Sequence, residues 1–319
     1  MTTAAASKRP YASRWKPNGG IEPRLTERDI ALFKLLTRYV YLPSDYIIAL
    51  LGGDKRAWQD RLKHLSGGGY LVRPKQQRQH SHANYRPLVY ALAERGFGTL
   101  GERGVECERP RARGNFPHEL MTNELTASFE LGARETGARV VTWAEISRSR
   151  SLPEATRRSP KPFHIPITVT IAGQRIDTRI AADGAPFGIE RVHNGRLIYF
   201  FCPGIEADCG TEPVDTSDFA RSSIYKKLVL YLAIEAQGIH RAHYGFPNFY
   251  VPIITTTETR MRSMMEVLKR ITGGTGSKIF LFKSFPAFTS FERPRPPSGH
   301  MLTEDWQRVD CPPFNFLTS

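Results

Sequence analysis

The sequence is poor in everything that would tie a chain to a membrane or an oxidising compartment. Its longest apolar runs, such as Leu228–Ile234, fall far short of the roughly 20 residues a spanning helix needs. The opening Met1–Ser7, followed by Lys8 and Arg9, has no apolar stretch of the kind a secretory signal carries. Only four cysteines occur, Cys107, Cys202, Cys209 and Cys311, with no CxxC pair and no Cys/His zinc spacing. That excludes a disulfide scaffold and a zinc module, and it predicts reduced thiols in a cytoplasmic protein with no membrane partner. No internal repeat is visible, which excludes a solenoid.

What is present is length, core-forming residues and positive charge. A chain of 319 residues exceeds the usual size of one domain, so two are expected. Hydrophobic residues make up 40% and aromatics 11%, enough for packed cores. The net charge is +14 and is unevenly spread. Residues 1–118 hold 21 Lys and Arg against 10 Asp and Glu, whereas residues 119–319 hold 24 against 21. A polyanion-binding surface is therefore expected in the first third of the chain. Charge alone leaves a merely solvated basic surface as the alternative.

Residues 1–23 read as a basic flexible arm with Lys8, Arg9, Arg14 and Lys16. A helix is predicted from Thr26, with Asp29 three residues on as its capping partner, and Ile30, Phe33 and Leu36 on one face. Pro43-Ser44-Asp45 starts a second short helix that Gly52-Gly53 ends. Asp54 caps a third, Lys55 to about Leu65, whose apolar positions are Trp58, Leu62 and Leu65. Two short strands follow, Tyr70–Val72 and Leu88–Leu92, around a polar segment carrying Arg73, Lys75, Arg78, His80 and His82. Three short helices followed by a two-stranded ribbon is the order of a winged helix-turn-helix, here assigned to residues 24–101. With Trp58, Leu62 and Leu65 buried, Lys55, Arg56, Gln59 and Lys63 project from the opposite side. Those are the residue types that read guanine, adenine and phosphate in a major groove of double-stranded DNA. Arg73, Lys75 and Arg78 supply backbone contacts from the wing.

Residues 102–117 read as a linker, residues 118–290 as a second, α/β domain, and residues 291–319 as an irregular Pro-rich tail. In the second domain Ser147–Pro162 reads as a basic exposed loop, Ile165–Ile171 and Gln174–Ala182 as strands, and Asn194-Gly195 as a hairpin turn. A helix is predicted over Ser217–Ala236, and another over Glu258–Ile271. Asp183 ends one strand, and Glu206 and Asp208 stand at i and i+2 on a later one. Neighbouring strands would bring them to one sheet edge, where carboxylates bind Mg²⁺ and a bound metal activates water against a phosphodiester. Ordinary turn chemistry at Asp-Gly and Asp-Cys-Gly is the competing explanation. Tyr231 is spaced with Leu228 and Leu232 as a packing residue rather than a nucleophile, and His240 and His243 read as surface groups.

The segments Leu25–Asp29, Arg61-Leu62 with Gly69-Tyr70-Leu71, and Val89–Leu92 with Arg95-Gly96 resemble the winged-helix part of the replication-relaxation family of bacterial plasmids and mobile elements. The helix from His118, Ala182-Asp183, the run Glu206–Glu212, and Lys227 with Tyr231 extend that resemblance over about residues 24–285. It implies an α+β protein: a winged helix followed by a restriction-endonuclease-like domain with a mixed sheet flanked by helices. The function implied is plasmid replication, relaxation or mobilisation. In that nuclease-like pattern Asp183 and Glu206 take the metal-binding acidic positions. Asp208 stands where a lysine is expected, and Lys226 or Lys227 would have to supply the ammonium from the next helix. Three readings follow: a DNA-binding replication or relaxation protein, a Mg²⁺-dependent nuclease or nickase, and a winged-helix transcription regulator. A second copy of the chain is kept open as a partner.

Overall fold

Thr26 starts the first helix by reciprocal capping: its backbone N–H and its hydroxyl both donate to Asp29 Oδ2, at 2.7 and 2.8 Å. The computed structural model describes residues 22–78, 86–107, 109–112, 115–171, 173–216, 218–285 and 296–319. Most of the predicted basic arm, and the wing residues 79–85 with His80 and His82, lie outside the described residues. The fold is a mixed α+β one, with eleven α-helices and several small sheets among the described residues. None of those helices is long and apolar enough to cross a membrane.

The chain divides into two units, Met1–His80 with Pro87–Arg111, and Ala112–Ser319 with Ser81–Arg86. The first unit runs α1 (Glu27–Leu36), β1 (Leu42–Pro43), α2 (Ser44–Leu51), α3 (Lys55–Gly67), β2 (Leu71–Val72), a 3-10 turn (Lys75–Arg78), β3 (Val89–Leu92) and α4 (Glu94–Glu102). Its three strands pair antiparallel in the order β1-β3-β2. The strand β1 was not foreseen: it is two residues long and contains a proline, so it has neither an alternating pattern nor a full set of donors. Two glycines at positive φ, Gly52 (70°) and Gly53 (93°), end α2. Asp54 then caps α3 by accepting from Ala57 N–H at 2.7 Å. The side of α3 that bears Trp58, Leu62 and Leu65 is wholly buried.

The second unit begins with α5 (Phe116–Thr136), β4 (Arg139–Val141), α6 (Trp143–Arg148) and α7 (Glu154–Arg157). A ribbon of β5 (Ile165–Ile171) and β6 (Gln174–Ile180) follows, then a hairpin of β7 (Phe187–His193) and β8 (Arg196–Cys202). Next come β9 (Glu206–Asp208), α8 (Ile224–Ala236), α9 (Ile239–Tyr244), β10 (Val251–Thr255), α10 (Glu258–Ile271), β11 (Phe280–Ser284) and α11 (His300–Thr303). The strands form three sheets rather than one mixed sheet: antiparallel β4-β7-β8, parallel β11-β10-β9, and the β5-β6 ribbon. Two apolar clusters fill the unit, one around α8, α10 and the ribbon, the other around α5 and β7.

Two sequence expectations fail here for stated reasons. The basic stretch 147–162 is not all loop, because it contains the end of α6 and all of α7. The chain from residue 300 is not an irregular tail. Trp306, Phe314 and Phe316 are buried, and the Trp306 ring stacks on Phe129 of α5 with centroids 6.0 Å apart. Its indole N–H donates to the Met301 carbonyl at 2.9 Å. Proline-rich composition hid three aromatic anchors spaced too irregularly for a helix or strand pattern. Trp306→Ala is expected to lower stability by about 3–5 kcal/mol in urea unfolding. An unchanged midpoint would show that this segment does not belong to the core.

Candidate functional site

Two sets of residues carry chemistry, one in each unit. In the first, Lys55, Arg56, Gln59 and Lys63 are all exposed on α3. Arg56, Gln59 and Lys63 recur at i, i+3 and i+7, which puts them on one stripe of the helix. Asp60 shares that stripe and is also exposed; the sequence reading passed over it because it breaks the basic pattern. The helix is held from behind. Asp29, fully buried, accepts from Arg61 Nε at 2.7 Å and Nη2 at 2.5 Å; burial disfavours its charge, but Arg61 and the two Thr26 bonds together outweigh that and hold its carboxyl below the usual range. The Arg28 guanidinium lies 3.9 Å over the Trp58 ring, whose N–H donates to the Gly52 carbonyl at 2.7 Å. Lys75 and Arg78 are exposed on the 3-10 turn and Arg73 is half-buried. That turn is anchored by Gln77, whose side-chain amide imitates a strand: it accepts from Val89 N–H at 3.0 Å and donates to the Val89 carbonyl at 3.1 Å.

In the second unit, Asp183, Glu206 and Lys227 are brought together. Gly204 makes this possible. A Cβ there would lie 2.5 Å from both Ala182 Cβ and the Gly184 carbonyl oxygen, and its φ of 144° suits glycine. The close approach lets Gly184 N–H donate to the Ile205 carbonyl at 3.0 Å and Ala207 N–H donate to Asp183 Oδ2 at 2.9 Å. Ser223 caps α8 by accepting from Lys226 N–H at 3.1 Å. One turn of that helix then presents Lys227 and Tyr231 on one face. Lys227 Nζ lies 2.9 Å from Glu206 Oε2, 3.3 Å from Glu212 Oε2 and 3.6 Å from Asp183 Oδ2. The Tyr231 hydroxyl donates to Glu206 Oε1 at 2.6 Å.

The electrostatics follow from burial and these neighbours. Burial pushes the Glu206 carboxyl up to about 7, against the pull of Lys227. Burial also disfavours charge on Asp183, but His118, Lys227 and the Ala207 N–H outweigh it and hold its carboxyl down at about 2. Lys227 is raised, because the three carboxylates more than offset its desolvation. His118, with Nε2 3.3 Å from Asp183 Oδ2, is raised by that contact.

Asp208, expected to point at the same metal as Glu206, does not join the cluster. Arg260 of α10 takes it with two bonds, Nε to Oδ2 at 2.5 Å and Nη2 to Oδ1 at 2.9 Å, and the Thr255 hydroxyl donates to Oδ2 at 2.6 Å. Gly210 N–H donates to Oδ1 as well, at 3.2 Å, so the side chain is committed to α10, β10 and its own turn. Lys226, the other candidate ammonium, lies 5.2 Å over the Phe219 ring instead. The sequence reading missed His118 and Glu212, whose only signal was position: the start of a helix, and the end of the acidic run from Glu206. His240 and His243 are not surface groups, since His240 is buried and Nε2 of each contacts a backbone carbonyl, of Pro247 at 3.0 Å and of Pro162 at 2.8 Å.

Whether Mg²⁺ fits is decided by the centre of the cluster. The donors are hard carboxylate oxygens of the right kind. The point on which they converge is held by Lys227 Nζ, and among the described residues no group of three or more His, Cys, Asp or Glu side chains is spaced to hold a metal ion. As arranged, the site suits a fixed ammonium and not a metal.

The molecule is thus an α+β protein with an exposed basic helix in one unit and a buried ion cluster in the other. It belongs to the replication-relaxation family, whose model matches residues 33–248 and so covers most of both units' site residues. No curated protein and no solved structure matches the chain.

Lys227→Met is expected to cost about 3–5 kcal/mol, because it leaves buried carboxylates without their cation; chemical denaturation measures it. Asp183 titrates at about 2 in the folded chain against an ordinary 3.8. Its contribution of about 2 kcal/mol is present above pH 3.8 and lost as the pH falls to 2. Asp183→Asn should lower stability at neutral pH by about that amount and flatten the acid limb of the stability curve. An acid limb identical to the wild type would refute the assignment.

Proposed function

We propose that this chain binds duplex DNA through its first unit, acting as a winged helix, in the replication or relaxation of a plasmid or other mobile element. Family membership associates the chain with replication and relaxation. The observation that carries the finer reading is the one-sided chemistry of α3. Its apolar side is buried and its exposed side holds Lys55, Arg56, Gln59 and Lys63. The helix follows α2 after a three-residue turn, Gly52-Gly53-Asp54, and is followed by the β2–β3 ribbon with its basic 3-10 turn. That order supports a recognition helix followed by a wing. Arg56 and Gln59 would read base edges, while Lys55, Lys63, Arg73, Lys75 and Arg78 would hold phosphates.

The test is selection of bound fragments from random duplex DNA, followed by affinity measurements on the selected site. Arg56→Ala and Gln59→Ala should each cost about 1–3 kcal/mol on that site and little on unrelated duplex. Changes at Lys75 or Arg78 should weaken binding to all sequences alike and flatten its salt dependence. Retention on DNA unaltered by either set would refute the docking of α3.

A second reading is phosphodiester cleavage by the second unit as a nuclease-like domain. One observation favours it: Lys227 delivers an ammonium to Asp183 and Glu206 although Asp208 occupies the position expected for that lysine. An ammonium there would stabilise charge developing on a phosphate. Supercoiled plasmid should then be nicked, and Asp183→Ala should abolish the nicking. Intact plasmid under every divalent ion tried would remove this reading.

A further inference from the structure

The second unit has nearly balanced charge, yet its cations are not evenly placed. Residues 148–179 hold seven Lys and Arg against two Asp and Glu, whereas the rest of residues 119–319 hold 17 against 19. The seven are Arg148, Arg150, Arg157, Arg158, Lys161, Arg175 and Arg179, and all are exposed. Elsewhere in the unit acids match or outnumber the cations, and several cations sit on them: Arg139 on Glu145 and Glu190, Arg260 on Asp208, Arg262 on Glu258, Lys269 on Asp310 and Arg270 on Asp215. In this stretch the two acids are already used. Glu154 pairs with both Arg157 and Arg158, at 3.2 and 2.6 Å, and Asp177 with Arg175 at 3.6 Å. Arg148, Arg150, Lys161 and Arg179 have no carboxylate partner among the described residues.

The segments that carry these residues are tied together by the fold. The Arg157 guanidinium donates to the carbonyls of Ser149 and Leu152 at 2.7 and 3.0 Å, which closes the segment after α6 onto α7. The Thr156 hydroxyl donates to the His243 carbonyl, and His243 Nε2 contacts the Pro162 carbonyl at 2.8 Å, which seats the following turn on α9. His164 N–H donates to the Lys161 carbonyl at 3.1 Å, and β5 starts at once. Arg179 stands opposite Pro166 in the ribbon, beside that turn. Four unpaired cations on a held scaffold, with serines between them, suit a row of phosphates better than a single small anion.

We propose that Arg148, Arg150, Lys161 and Arg179 form a second binding site, on the second unit, for the phosphate backbone of nucleic acid. The ligand is duplex DNA, contacted without regard to sequence. This rests on the DNA-binding reading above, and the experiment separates the two. Binding of full-length protein to a random-sequence duplex is followed by fluorescence anisotropy between 50 and 200 mM salt for wild type and for Arg148→Ala/Arg150→Ala/Lys161→Ala/Arg179→Ala. Because none of the four side chains has a carboxylate partner to lose among the described residues, the variant should keep the wild-type unfolding midpoint. Its affinity should fall and the slope of log K against log salt should become shallower by about 0.9 for each phosphate contact removed, about 3 to 4 in all. A variant with wild-type affinity and slope would overturn this site while leaving the α3 reading intact. No binding by the wild type at any salt would overturn both. Loss of binding to vesicles rich in anionic lipid, with DNA binding unchanged, would also overturn it and reassign the patch to a membrane surface.

Discussion

The second unit is organised around a single ammonium. Asp183, Glu206 and Glu212 come from three stretches of chain, and Lys227 Nζ contacts all of them within 3.6 Å. Two like charges 4 Å apart repel by about 4 kcal/mol at the effective dielectric near a protein surface, so these segments do not converge without a cation. Much of the local architecture serves the convergence. Gly204 allows the backbone after β6 to approach the backbone before β9, Ser223 fixes the start of α8, and Tyr231 gives Glu206 the hydrogen bond its other oxygen needs. Arg260 plays the companion part for Asp208. By also donating to the Glu212 carbonyl, it ties the loop that returns Glu212 to Lys227.

The first unit depends on a comparable constraint, used for orientation. The buried Asp29 both caps α1 and receives Arg61 from α3, so the same carboxylate that starts one helix sets the placement of the other. Arg28 on Trp58 adds a second tie between the two helices. With its apolar side and Arg61 fixed in this way, α3 has little freedom to rotate, and the stripe Arg56, Gln59 and Lys63 is presented as a rigid face. A rigid face is what selective contact with base edges requires.

Local chemistry was legible from the residues wherever a pattern is short-range. The Thr26–Asp29 cap, the Asp54 start, the apolar side Trp58, Leu62 and Leu65, and the Asn194-Gly195 turn all depend on neighbours within a few positions. The ribbon β5–β6 was legible from the alternation Ile165, Ile167, Val169. Interactions set by the tertiary path were not. The partner of Asp208 lies 52 residues away on α10, so no spacing along the chain announces Arg260. His118 reaches Asp183, and Glu212 reaches Lys227, only because the tertiary path brings the start of α5 and the loop after β9 there. The C-terminal aromatics misled for the opposite reason: Pro and Gly around them suggest irregular chain, and irregular chain can still be core.

A buried cluster of this kind is hard to justify by stability. Replacing a buried ion network by apolar side chains of similar volume is often neutral or favourable, while removing one member is costly. Holding β9, α8 and the turn at Asp183 together would therefore not by itself call for three carboxylates, an ammonium, a phenol and an imidazole. Their position sharpens the point. His118 and Asp183 keep about a fifth of their side-chain surface exposed and Glu212 more, whereas Glu206 behind them is sealed. The cluster is graded from a dry interior carboxylate, Glu206, to the partly exposed Glu212 at its edge. A site that exchanges charge or protons with something outside the protein gains from that gradient, and that is the strongest physical reason to test the second unit for chemistry on DNA as well as for binding to it.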